Sequence, residues 1–244
     1  MRDAVRAELL KARSGFWMLA VLAYAILLPL GAWRFAGRGM LASGASAADV
    51  SHAMLVYLIA CPIAATFVGS YLVTRDYYYK SITRAVLTNR KDHVYAGKLL
   101  AGAGGGLAVG MVGSLGWLVI AELILRGRDQ TLLLDGATAQ AVGGCMAASV
   151  LAGVFGMAIG WIVPNYYAAT SISMLLPLAV EVPLALAVPE IARFLPDTAL
   201  AGVAQAQPVF PGIFGTWTSL PIAAVWVALA AFAGWRLFER REIR

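Results

Sequence analysis

The sequence predicts an all-α integral membrane protein with six transmembrane helices, and three observations predict it. Apolar residues fill 61% of the 244 positions and charged residues only 13%, about half the charged share of a soluble domain. The apolar residues gather into six runs, each near the ~20 residues that a helix needs to cross hydrocarbon. Lys and Arg fall between those runs and divide unequally by side. The runs do not alternate as barrel strands would, and helices satisfy their own backbone groups in lipid.

The elements follow in chain order. Residues 1–15 place Val5, Leu9, Ala12 and Phe16 at helical spacing, with Arg2, Arg6 and Arg13 off that face. This predicts a basic amphipathic helix lying in the membrane interface, turning at Ser14-Gly15 into the first run, Phe16 to Trp33. That run reads as a retained span, because Ala45-Ser46-Ala47 lies too far beyond it for a signal-peptide cleavage site. The remaining runs are Met54 to Thr74, Leu99 to Leu125, Ala141 to Val163, Tyr167 to Val188 and Leu220 to Trp235. Pro177 and Pro183 predict a kinked or broken fifth span. Residues 189–219 are too short and polar to span, and read as short re-entrant or capping helices on the outer face. Trp17, Trp33, Trp217 and Trp235 sit near span ends as an aromatic belt. The whole of 1–244 reads as a single membrane domain.

With six spans, fourteen Lys and Arg fall on the side of residues 1–15, 75–98 and the tail after Trp235. The other side holds five: Arg34, Arg38, Arg126, Arg128 and Arg193. The positive-inside rule then puts both termini in the cytoplasm. The net charge of +6 is read as orientation against an anionic inner leaflet rather than as a nucleic-acid surface.

Small residues recur every four positions in two runs. The third has Gly102, Gly106, Gly110 and Ser114; the fourth has Ala148, Ala152, Gly156 and Gly160. Such faces let membrane helices approach closely, so the two runs are expected to pack together. Cys61 and Cys145 lie inside apolar runs and read as packing residues, with no metal-ligand spacing.

The chain contains no GxxxxGK[ST] loop, no HExxH and no GxSxG, so ATP binding and hydrolase chemistry of those kinds are not expected in it. The informative segment is Arg75 to Lys98, RDYYYKSITRAVLTNRKDHVYAGK. Ile82, Ala85 and Val86 share one helical face, while Arg84, Arg90 and Lys91 point elsewhere. Thr88-Asn89 is expected to end one helix and cap the next. The pattern predicts a short amphipathic helix along the cytoplasmic face, suited to docking a partner protein.

In this segment the chain resembles the type-2 ABC transporter permeases. The family pattern has an acidic residue, a Gly-Thr-Ile/Leu-Arg-like core, a leucine, basic residues, and Ala-x-Lys leading into the next span. The matching positions are Asp76, Ser81, Ile82, Arg84, Leu87, Arg90 or Lys91, and Ala96 with Lys98. Lys80 stands where the family has glycine. The resemblance covers the whole chain. It implies an N-terminal surface helix, a cytoplasmic coupling helix between spans two and three, and outer re-entrant helices between spans five and six. It further implies a dimer, most simply a homodimer, in a bacterial inner membrane. Two copies of a separate ATPase subunit would carry ATP and Mg, docking on Asp76, Lys80, Ser81, Ile82, Arg84, Ala85, Leu87, Thr88, Asn89, Arg90 and Lys91. No cofactor or metal is expected in this chain. The cargo implied is a drug, antibiotic, peptide or lipid.

Two acids lie in apolar runs. Glu122 is a candidate for the substrate path, although it sits one turn before Arg126, which suggests an i,i+4 pair. Glu181 lies between Pro177 and Pro183, and an intramembrane acid is by default a candidate for the substrate path. Two other readings, a gradient-driven transporter or channel and a stand-alone membrane enzyme or immunity protein, would call for more buried charge than these two acids.

Overall fold

A computed structural model describes residues 17–37, 46–206 and 210–241. The expected interfacial helix at 1–15 lies outside the described residues. Six described helices are long and apolar enough to cross a membrane, and no strand occurs among the described residues.

The first span is α1 (Trp17–Ala32), prolonged by a wide π-helical turn at Trp33–Gly37. The second, Ala47–Tyr78, is a composite of α2 (Ala47–Leu55), a tight 3₁₀ turn (Val56–Ile59) and α3 (Ala60–Tyr78). A short helix α4 (Ser81–Thr88) follows, then the third span α5 (Lys91–Arg126) and the fourth, α6 (Gly136–Ile162). The fifth is α7 (Tyr166–Leu175), a π-helical turn (Leu176–Glu181) and α8 (Val182–Ala187). Two short helices, α9 (Pro189–Ala192) and α10 (Pro196–Val203), lead to the sixth span, α11 (Thr216–Arg240).

Helix starts carry local signals. Ser46, Asp135 and Asn165 accept from the backbone N–H groups of Asp49, Thr138 and Ala168 at 3.2, 2.9 and 3.0 Å, which satisfies donors that open every helix. The π turn in the fifth span coincides with Pro177, as expected where a proline removes a ladder bond. Several spans outrun their apolar runs. The third has 36 residues, about 54 Å at 1.5 Å per residue, and so continues past the hydrocarbon through Lys91–Lys98. The sixth begins at Thr216, inside the segment read as outer loop.

The second and fourth spans form the centre, with α5 and α11 packed on α6. Their contact is backbone to backbone. A Cβ on Gly69 would collide with the Gly153 carbonyl, one on Gly153 with the Gly102 carbonyl, and one on Gly106 with the Ser149 carbonyl. Gly110 also meets Ser149. The glycine face of the third span therefore does lie on the fourth. The opposing row differs from the expected one, however: Ser149 and Gly153 receive it. Gly156 and Gly160 turn instead to the second span, against the Thr66 and Ser70 carbonyls. A 27-residue helix clasped on two sides needs two small-residue faces, and a single four-residue period describes only one of them.

The basic ends of the spans meet. Trp17 lies 4.6 Å from Tyr71, and Tyr71 lies 5.8 Å from Tyr166, ring centre to centre. Lys91 Nζ donates to the Glu239 carbonyl at 3.2 Å, and Arg241 donates to the Trp161 and Ile162 carbonyls. Under these lies an aromatic cluster of Tyr95, Trp161, Trp235 and Phe238, with Trp161 and Phe238 4.2 Å apart.

Candidate functional site

The loop from Arg75 to Lys98 folds as a helix hung from a buried ionic root. α3 ends at Tyr78, and Lys80 adopts φ 53°, a left-handed conformation that reverses the chain before α4. Glycine adopts that conformation without the Cβ penalty, so the position where Lys80 departs from the family pattern is the one where the turn strains a side chain. Asp76 Oδ2 and Lys98 Nζ are 2.7 Å apart, with side chains 3% and 0% exposed. Lys98 also donates to the Leu72 carbonyl at 2.8 Å, and Ser81 Oγ donates to Asp76 Oδ1 at 2.8 Å. One carboxylate thus joins the second span, the third span and the first residue of α4. Ile82 is buried in the core, and Ala85 and Val86 pack partly against it.

These contacts sort the expected docking residues. Asp76, Ser81 and Ile82 are spent on holding α4 in place. Lys91 is spent on the C-terminus of α11, where it also faces the Phe238 ring. Asn89 closes α4 through the Ala85 carbonyl, and Arg90 occupies the start of α5 without a side-chain cap; Thr88-Asn89 ends the first helix but does not cap the second. What remains outward is Lys80, Arg84, Leu87, Thr88 and Arg90, with Leu87 83% exposed. An exposed leucine flanked by guanidinium groups is suited to protein contact.

Of the two intramembrane acids, Glu122 is local. Its carboxylate takes Arg126 Nε at 2.6 Å and the Leu132 backbone N–H at 2.7 Å, closing the turn after α5. Glu181 is different. It is 3% exposed, at the end of the π turn. Its Oε2 accepts from the Thr198 backbone N–H at 2.8 Å and from Thr198 Oγ1 at 3.0 Å. Asp197 hydrogen-bonds to the same carboxyl. The fifth span thereby caps α10 in trans. Burial first, and the Glu181 carboxyl second, push Asp197 well above the usual carboxylate range. Both acids line a narrow cavity of about 40 Å³ with Ile59, Pro62, Pro177 and Phe210, room for about one or two waters.

Sequence reasoning missed Asp197, which sits in the segment between the fifth and sixth spans and gains meaning only from a tertiary contact. It also missed that Cys61 and Cys145 adjoin as free, buried thiols. No group of three metal-ligating side chains occurs among the described residues. No family model and no curated protein matches the sequence.

Proposed function

We propose that this chain is the membrane permease of an ATP-driven exporter of the type-2 ABC class. It would lie in a bacterial inner membrane with both termini and α4 in the cytoplasm. The observation that carries the reading is α4. It is a helix whose outward side carries Arg84 and Leu87, with Arg90 just beyond its end, rooted between the second and third spans by the Asp76–Lys98 pair, in a chain whose sequence holds no nucleotide-binding loop.

The division of labour follows from that arrangement. A separate ATPase subunit, two copies per permease dimer, binds ATP and Mg and grips α4. Closure of the ATPase pair displaces α4. Because its first residue and two span ends share one carboxylate, displacement passes directly to the second and third spans. The second and fourth spans are clasped through glycines, so they move as one body. The kinked fifth span, tied to α10 by Glu181, supplies the part able to bend. The cargo is an amphipathic or hydrophobic molecule such as a drug, antibiotic, peptide or lipid.

The test is co-expression with an ABC-type ATPase subunit, which this reading expects to be encoded beside this gene. The two should co-purify, and Leu87→Glu or Arg84→Glu should abolish assembly while leaving the permease folded. Normal assembly and ATP hydrolysis with both substitutions would remove α4 from the coupling role.

A further inference from the structure

At the end of the bundle away from α4, where the fourth and sixth spans begin, the structure holds a pocket of about 570 Å³. Its described lining includes Gln140 and Gly143 on α6, Val203 and Gln205 at the end of α10, and Thr216 and Trp217 on α11. We propose that this pocket binds the uncharged, hydroxyl-rich headgroup of a membrane glycolipid. The proposal goes beyond the transport reading and does not depend on an ATPase.

Three features carry it. The first is chemistry. The described lining carries two carboxamides, a hydroxyl and an indole, and no charged side chain. A carboxamide both donates and accepts, so it pairs with a ligand hydroxyl in either sense. Among the described residues, no hydrogen bond within the chain occupies the carboxamide of Gln140 or Gln205. Thr216 Oγ1 lies 3.4 and 3.5 Å from the Gly202 and Val203 carbonyls, long contacts that leave its oxygen able to accept. An ionised headgroup would find no counter-charge in this lining. Trp217 is 86% exposed, and its flat apolar face, with an N–H at one edge, suits a sugar ring.

The second is construction. α10 meets α6 backbone to backbone, since a Cβ on Gly144 would collide with the Val203 carbonyl. Beside it, a Cβ on Gly143 would find nothing within 4 Å, so the wall there is open. Gln205 stands just beyond α10 at φ 62°, a conformation that glycine adopts without the Cβ penalty. The chain accepts that strain and keeps a carboxamide on the wall of the pocket.

The third is the change of lining with depth. The fourth span has 27 residues, about 40 Å at 1.5 Å per residue, against about 30 Å of hydrocarbon. Gln140 therefore stands near the membrane–water boundary, and Ala147 about 10 Å deeper. Thr216 and Trp217 open the sixth span, and Leu220 lies a turn further in. A polar mouth over an apolar floor matches an amphiphile with its headgroup at the boundary. The volume falls within the range of small-ligand sites, about 300–1,000 Å³, enough for a sugar with its glycerol.

The test uses the full chain, delipidated and reconstituted in phosphatidylcholine nanodiscs, with bound lipid read by native mass spectrometry. The probes are monoglucosyl dioleoylglycerol, dioleoylglycerol, which lacks the sugar, and the anionic dioleoylphosphatidylglycerol. The glucolipid should bind about 10-fold tighter than either of the others, as two or more neutral hydrogen bonds allow. Gln140→Leu and Gln205→Gly should each weaken it about 5-fold, the loss of one such bond, and Trp217→Leu about 5- to 10-fold. Gln140 and Trp217 are exposed and glycine relaxes position 205, so these variants retain the fold. Phe35→Leu, at an exposed aromatic outside the pocket near the same membrane face, should leave binding unchanged. Equal affinity for the three lipids overturns the proposal. So does an equal loss with Phe35→Leu, which would mean general interfacial partitioning. Displacement of the glucolipid by millimolar methyl glucoside also overturns it, by assigning the pocket to a soluble sugar.

Discussion

Breaking the root of α4 from one side should cost far more than removing it altogether. Lys98→Met leaves the Asp76 carboxylate in a site that is 3% exposed, with the 2.7 Å partner gone. Loss of one member of a buried pair costs about 3–5 kcal/mol. The bond to the Leu72 carbonyl, worth about 1 kcal/mol, goes with it. Asp76→Leu strands the ammonium of Lys98 and should cost about as much, since Ser81 also loses its acceptor. The double variant removes both charges and restores an apolar contact of similar volume. It should lie within about 2 kcal/mol of the native chain, because such replacements are often near neutral. The coupling energy in this cycle is therefore about 3 kcal/mol or more. The assay is unfolding in mixed sodium dodecyl sulfate and dodecyl maltoside micelles, followed by tryptophan fluorescence. If the two single losses simply add in the double variant, the pair is not the root that holds α4. On the transport reading, the double variant should still fold yet stimulate the proposed ATPase subunit less, because Ser81 no longer shares a partner with the spans.

Other outcomes follow from the same geometry. Gly153→Ala places a methyl group on the Gly102 carbonyl and should cost several kcal/mol, as overpacking at a backbone contact does. Gly104→Ala and Gly143→Ala, where nothing lies within 4 Å, should be neutral or stabilise by up to ~1 kcal/mol in the same unfolding assay. Lys80→Gly relieves a left-handed residue at φ 53°, and should change stability by no more than ~1 kcal/mol because glycine also loosens the unfolded chain; a large loss would mean the side chain itself holds the turn. Glu181→Leu should expose the α10 backbone to proteolysis, whereas Glu181→Gln keeps the acceptor for Thr198 and should not. Two acids outside the spans, Asp135 and Asp197, should respond oppositely to pH. Asp135 is held below the usual range chiefly by the Thr138 backbone N–H and also by His52, so its contribution is present above ~pH 4 and fades as acid protonates it. Asp197 is raised by burial and by Glu181, so it favours folding while protonated and its contribution declines as pH rises above ~4; Asp197→Asn should flatten that decline in melting temperature against pH.

The six spans were legible because lipid leaves one solution for a long apolar run, and Lys and Arg then mark its ends. Their lengths were less legible. Hydropathy stops where the hydrocarbon stops, but the hydrogen-bond ladder of α5 runs on through Lys91, Asp92 and His93 into water. Glycine periods showed that close packing would occur and misassigned part of the partner, since Gly156 and Gly160 meet the second span rather than the third. The contact between Tyr71 and Tyr166 was illegible for a simpler reason. The two lie 95 positions apart in the chain, and each alone reads as an ordinary interfacial aromatic.

Charge in and at the ends of the apolar runs proved the most instructive signal, and its instruction depended on what each group found. Glu122 found an arginine one turn away, which sequence spacing revealed. Asp76 and Lys98 lie 22 positions apart on different spans, so the sequence could mark them as a pattern without stating that they touch. Glu181 found Thr198 and Asp197, which no pattern marked. The expense of an unpaired charge in hydrocarbon means each such residue must have a partner; periodicity finds that partner only when it lies on the same helix. A carboxylate that joins three elements ties their positions to one another. On the transport reading, a displacement of α4 would act on the ends of the second and third spans through the Asp76 carboxylate and the buried Ile82 together.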